Sequence, residues 1–250
     1  MLHQLQFLFE SLDFAAMGNA LLRVLAIFLC LTVHEASHGL AAYVLGDPTA
    51  KAQHRLSLNP LRHIDWFGLL MMFTVGFGWA KAVPVNPRYF RKPKQGMAVT
   101  ALAGPVSNLL TAAVAVGISR LIDQYAPYTP LWNALFEFFL LTLAPLSIGL
   151  GLFNLIPIPP LDGSKVVAVF LPDDAYAMLM RYERYGFLVL LVLSYFGFMS
   201  GMMTNAIIGV FSMLYNLFFE VRGWKIPYLS SSVWCAPNSK RCRTSRDLWT

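Results

Sequence analysis

Apolar positions run almost unbroken from about 18 to 45, interrupted chiefly by Arg23 and by a polar cluster inside V-H-E-A-S-H-G, 33–39. At 1.5 Å per residue this stretch exceeds the ~30 Å hydrocarbon core of a bilayer, so the pattern predicts a spanning helix. Gly46-Asp47-Pro48 ends it, because proline cannot continue a helix. Two further runs predict spans at 97–119 and 131–153. The apolar stretch 187–219 is 33 residues long, with a weak break at Ser200-Gly201. It predicts two short helices, 187–200 and 202–219. Phe67 to Trp79 is apolar but only 13 residues long and glycine-interrupted. It is too short to span, so a re-entrant segment or β-hairpin over about 67–87 is expected. Non-helical backbone at membrane depth is tolerated only against protein or a wet cavity, which points to a hydrated pocket nearby. Residues 1–17 read as an amphipathic lead-in and 221–250 as a polar, basic, disordered tail. The fold class is an all-α polytopic membrane protein, with one membrane-embedded domain over 18–220.

Composition agrees with that pattern and charge orients it. The 250 residues are 57% apolar and 13% charged, about half the charged share of a soluble domain. A net charge of +6 is then a matter of topology, and no nucleic-acid partner is expected. Residues 47–96 hold eight Lys/Arg against Asp47 and Asp65. By the positive-inside rule they lie in the cytoplasm. The N-terminus, which lacks Lys and Arg before Arg23, and the loop near 120–130 then lie outside. The tail after 220 has six basic residues and is placed inside, which requires both short helices to cross. Three cysteines, Cys30, Cys235 and Cys242, give no disulfide framework or zinc knuckle, and no cleavable signal peptide is expected.

The chemistry sits in H-E-A-S-H. On a helix, His34 and His38 are four apart and project from one face, where two imidazoles can close on one zinc ion. Glu35 stands beside the first ligand, placed to act as general base on an attacking water. Three ionisable groups within five residues of an apolar helix are costly in a membrane unless paired or functional, and a metal compensates them. A catalytic zinc needs a third protein ligand. Candidates are His54, His63, Asp47, Asp65, Glu137 and Asp162. Asp162 agrees best in depth: Pro157, Pro159 and Pro160 forbid helix before it, and Gly163 permits a close turn, which can aim a carboxylate back into the bundle.

H-E-A-S-H-G (34–39), A-G-P-V-S-N (103–108) and N-L-I-P-I-P-P-L-D-G (154–163), with L-S-L-N-P-L-R-H-I-D (56–65) and G-W-A-K-A-V-P-V-N-P-R-Y-F (78–90), resemble the site-2 protease family of intramembrane zinc metalloproteases, in its short bacterial form. The resemblance covers roughly 20–195. It implies a three-helix catalytic core, to which the C-terminal helices read from the apolar run are additional, with one zinc per chain on His34, His38 and Asp162, and Glu35 as catalytic glutamate. It also implies that Asn154 positions substrate or stabilises the oxyanion, and that Gly104 and Asn108 pack near the site. Glycine is expected where His54 stands. No PDZ or nucleotide-sensing domain fits in the chain, and the last 60 residues carry no signal of the family.

The expected function is hydrolysis of peptide bonds within or near transmembrane segments of membrane-protein substrates. The expected setting is the bacterial cytoplasmic membrane, with the lipid bilayer as surrounding partner and the active site towards the cytoplasm. The alternative is a non-proteolytic metal-binding membrane protein, a transporter or inactive scaffold. It would need several ionisable residues at depth, and only Glu137 stands there beyond the motif. A soluble zinc peptidase on an anchor fails because no polar stretch is long enough to bury a core.

Overall fold

The computed structural model describes residues 14–63, 65–68, 81–219, 234–235 and 242–243. The first helix, α1 (Phe14–Val44), is followed by the short α2 (Thr49–Ala52) and 3-10 turns at Pro60–Arg62 and Pro87–Tyr89. Then come α3 (Pro93–Tyr125) and α4 (Pro130–Glu137), which passes through a π turn, Phe138–Leu143, into α5 (Ala144–Asn154). The chain closes with α6 (Asp162–Ala168), α7 (Asp173–Tyr195) and α8 (Phe198–Phe219). Among the described residues four helical stretches are long and apolar enough to cross a membrane: Gly18–Val44, Pro93–Tyr125, Pro130–Asn154 and Gly201–Phe219. The chain is an all-α polytopic membrane protein.

Along α1 and α3 packing is inverted relative to a soluble bundle. On α1 an i+4 ridge of Ala26, Cys30, His34, His38 and Ala42 is buried, flanked by buried Thr32, Glu35 and Gly39. Its outer face carries Leu21, Leu25, Leu29 and Val44, all exposed. Lipid is as apolar as leucine, so burying large side chains gains little; small residues inside let backbones approach and gain dispersion contacts. α3 continues the scheme with buried Ala101, Gly104, Asn108, Ala112 and Ala115. It is the central helix, packed on α1, α5 and α6. The core joins these helices to α8 through Val116, Phe136, Leu143, Ile148 and Tyr215.

Two stretches differ from expectation. The C-terminal apolar run breaks at Phe196-Gly197, where Gly197 has φ +70°, and Ser200-Gly201 lies inside α8. Glycine ends a helix cheaply in the left-handed region, whereas one inside a packed helix is tolerated. Likewise, residues 187–195 of the expected span 187–200 are the second half of a longer helix that begins at Asp173 and carries Arg181, Glu183 and Arg184, while 198–200 belong to α8. The tail, read as disordered, lies largely outside the described residues. Within it Trp234–Cys235 pairs antiparallel with Cys242–Arg243, which sets Cys235 opposite Cys242. The expected embedded segment 67–87 also lies mostly outside them; of its described residues, 67–68 are helical, 81–86 have no regular secondary structure, and Pro87 opens a 3-10 turn.

Candidate active site

The ridge of α1 brings both imidazoles against α3. The rings meet edge to face, with centroids 4.6 Å apart at 88°. They fit because residue 104 is glycine: a Cβ there would fall 2.4 Å from His38 Nε2 and 2.7 Å from His34 Cε1. The loop after α5 returns the third group. Asp162 opens α6, and its Oδ2 lies 3.1 Å from His34 Nε2 and 3.1 Å from His38 Nε2, which are 3.0 Å from each other. Side-chain exposures of 5, 11 and 12% leave the triangle a narrow opening to solvent.

These atoms fit a divalent cation. A tetrahedral zinc with bonds near 2.0–2.1 Å sets its ligand atoms about 3.3 Å apart, close to the observed edges. Donor chemistry agrees for His38. Its Nδ1 lies 2.7 Å from the Thr100 carbonyl, which can only accept, so Nδ1 carries a proton. The neutral ring then turns a bare Nε2 lone pair into the triangle. Asp162 supplies the negative charge. Burial pushes its carboxyl up, but hydrogen bonds and charge from His34 and His38 outweigh that and hold it well below the usual carboxylate range. Among the described residues these three form the one group of His, Cys, Asp and Glu able to hold a metal ion.

Glu35 is buried on the same helix and sits apart from the triangle. Its Oε2 accepts from the Val83 amide at 2.9 Å. The strip 81–86 that brings Val83 is fixed at four more points: Lys81 N donates to His63 O at 2.9 Å, Arg55 to Lys81 O at 2.5 Å and to Ala82 O at 3.3 Å, and Asn86 N to Asp47 Oδ2 at 2.6 Å. Gly39 leaves room for the strip, since a Cβ there would meet Val83 Cγ1 at 3.3 Å.

The other candidate ligands have other work. Asp47 is fully buried and holds Thr49 and Asn86. His63 meets Ser57 O at 2.8 Å. Asp65 caps the amides of Phe67 and Gly68. His54 is exposed, with φ +53°, a left-handed conformation that explains why glycine suits the position. Glu137 ends α4. Asn154, the last residue of α5, donates from Nδ2 to Leu150 O at 2.9 Å. Among the described residues no hydrogen bond joins it to the triangle.

Comparison with known proteins decides the family. Peptidase family M50 matches residues 118–196, the stretch that holds Asn154 and Asp162. A Bacillus subtilis protein named "Putative zinc metalloprotease YwhC" is 40% identical over 172 residues, covering 68% of this chain and 78% of that protein. The chain belongs to peptidase family M50. It is therefore an intramembrane zinc metalloprotease, as the motifs led us to expect. Two further, less similar relatives are named "Putative zinc metalloprotease Rip2". The one from Mycolicibacterium smegmatis is 26% identical, over 70% of this chain and 67% of that protein; the one from Mycobacterium tuberculosis H37Rv is 27% identical, over 83% and 78%. No solved structure matches.

Three parts of this M50 site escaped sequence reasoning. The Val83 amide on Glu35 is a backbone donor, which has no sequence signature. Asp47 appeared only as a possible ligand. Gly186 of α7 seats the proline loop: a Cβ there would lie 1.8 Å from Pro159 O. Its only signal was a glycine between charged and apolar halves of a helix.

Proposed function

We propose that this M50 protein is an endopeptidase of the site-2 type, with one zinc held by His34 Nε2, His38 Nε2 and Asp162, and with its active site facing the cytoplasm of a bacterial cell. The observation that carries the reading is the 3.0–3.1 Å triangle of ligand atoms inside a bundle of spanning helices. Bound zinc would supply a Lewis acid to polarise the scissile carbonyl and make water acidic enough to attack near neutral pH. The chain supplies the rest. Glu35 has one oxygen tied to Val83 and the other available to take a proton from the attacking water and return it to the leaving nitrogen. Asn154 exchanges its bond to Leu150 for one to the substrate carbonyl as negative charge develops there.

The substrate is a transmembrane segment of another protein. An intact helix hides its carbonyls in i→i−4 bonds, so the segment unwinds before attack. The strip 81–86, anchored to the body, receives the unwound stretch by strand addition. The basic segment 47–96 orients the chain by the positive-inside rule.

The test uses a purified reporter protein with one transmembrane segment carrying Gly and Asn at mid-span. Wild type cuts it in detergent. Glu35→Gln keeps its zinc and loses about 10²–10⁴-fold in rate, the usual contribution of a general base. Cleavage at the wild-type rate by Glu35→Gln would overturn the role given to Glu35, and no cleavage by zinc-loaded wild type of any such reporter would favour the non-proteolytic alternative.

A further inference from the structure

The two histidines are braced differently. His38 Nδ1 faces a carbonyl, and its tautomer is fixed. His34 Nδ1 faces the side-chain amide of Asn108, with Nδ2 at 3.1 Å. An amide has a donor end and an acceptor end, and so suits either tautomer of the ring. Asn108 is fully buried and closely packed. Its carbonyl accepts from Ser147 Oγ at 2.8 Å, and a Cβ on Gly151 would touch its own Cβ at 3.4 Å. Its Oδ1 is buried with no hydrogen-bond partner among the described residues. His34 is therefore the single polar group that decides which end of the amide faces it.

In the observed arrangement Nδ2 donates to a bare His34 Nδ1. A neutral His34 then carries its proton on Nε2, aimed at His38 Nε2 and Asp162 Oδ2. That is a consistent metal-free network: one N–H among a lone pair and a carboxylate. A metal ligand needs the reverse, with Nε2 bare and Nδ1 protonated. A protonated Nδ1 facing an NH₂ group leaves two donors opposed. Turning the amide end for end removes the conflict and sacrifices no bond made by Oδ1.

We propose that Asn108 is the positioning residue for His34 and that its amide turns over with metal loading, donating to Nδ1 in the metal-free protein and accepting from it in the loaded one. The inference rests on the metal triangle proposed above. Asn108 thereby holds one ring plane in both states, so the site is formed before the ion arrives. Asparagine suits this better than aspartate, which fits only the loaded state and leaves a buried charge in the other.

The test is zinc affinity of the full-length protein in detergent, read by competition with a chromogenic chelator, for wild type, Asn108→Asp and Asn108→Leu. An orienting partner of this kind is worth about 10–100-fold in metal affinity. Leucine should weaken zinc by that factor, and aspartate, which accepts from Nδ1–H, should match or exceed wild type. A packing role alone predicts the opposite order, because leucine keeps a branched outline without charge whereas aspartate would bury an unpaired one. Leucine within twofold of wild type, or aspartate weaker than leucine, overturns the proposal. A second measurement does not depend on the variants folding: ¹⁵N NMR of histidine-labelled wild type should show His34 Nδ1 protonated with zinc and bare without it. The same Nδ1 state in both forms overturns the turnover. A wild type that binds no zinc sinks the metal reading itself, whereas zinc-loaded wild type with an indifferent Asn108→Leu sinks this inference alone.

Discussion

His34, His38 and Glu35 are legible from spacing because a helix repeats every 3.6 residues and puts i and i+4 on one face. What spacing cannot show is what lies opposite that face. Gly104 is there, and its missing side chain is part of the site. We expect Gly104→Ala to eject the metal, since its methyl would overlap both imidazoles at 2.4–2.7 Å. Zinc content of the purified variant checks this, and full occupancy would show that the rings can retreat. His54 is the converse case. Read from sequence it is a possible ligand; in the structure it is an exposed residue held at φ +53°. His54→Gly should leave zinc unchanged and leave stability equal or raised by up to about 1 kcal/mol, because glycine enters that conformation without a Cβ clash but has more chain entropy to lose. Thermal unfolding and metal analysis of the variant separate the two roles.

At the scale of elements, the site depends on how α6 and α7 hold the loop from Leu155 to Asp162. The prolines in that loop announce a non-helical return in the sequence, and that much could be read. Its seating on α7 could not, because a contact between Gly186 and Pro159 has no local signature. Gly186→Ala should push on the loop, since its Cβ would lie 1.8 Å from Pro159 O. Overpacking of this kind costs about 1–3 kcal/mol, and here it should also weaken zinc binding through Asp162. A variant with wild-type melting temperature and zinc content would contradict the seating. The turn between α6 and α7 is tied by Lys94, which bonds Leu171 O at 3.1 Å and pairs with Asp173. Lys94 holds the Asp173 carboxyl below its ordinary value of 3.8. A depressed carboxylate adds stability above its unfolded value and loses it as pH falls through the folded value. The stability difference between wild type and Asp173→Asn should therefore shrink as pH drops below about 4, and the exposed pair should weaken in high salt. Melting curves across pH 3 to 6 read this out.

For the whole molecule, hydropathy locates the first three long apolar helices because lipid would impose one requirement on them, about 20 apolar residues with every backbone group satisfied. It misplaces the C-terminal break. Gly197 stands among aromatic residues, so hydropathy does not fall there, whereas Ser200-Gly201 lowers it without ending a helix. The positive-inside orientation makes a further prediction. With Cys235 and Cys242 replaced, a cysteine at Gln53 should react with an impermeant thiol reagent only from the cytoplasmic side, and one at Pro127 only from the other. Labelling of both from one side would invert or abolish the assigned topology. The central claim, a zinc ion held inside the membrane by two α1 imidazoles and the carboxylate that the proline loop returns, is tested most directly by metal analysis of detergent-purified wild type and Asp162→Ala. We expect one zinc per wild-type chain and little or none in a folded Asp162→Ala. Metal-free wild type, or undiminished zinc in the variant, would contradict it.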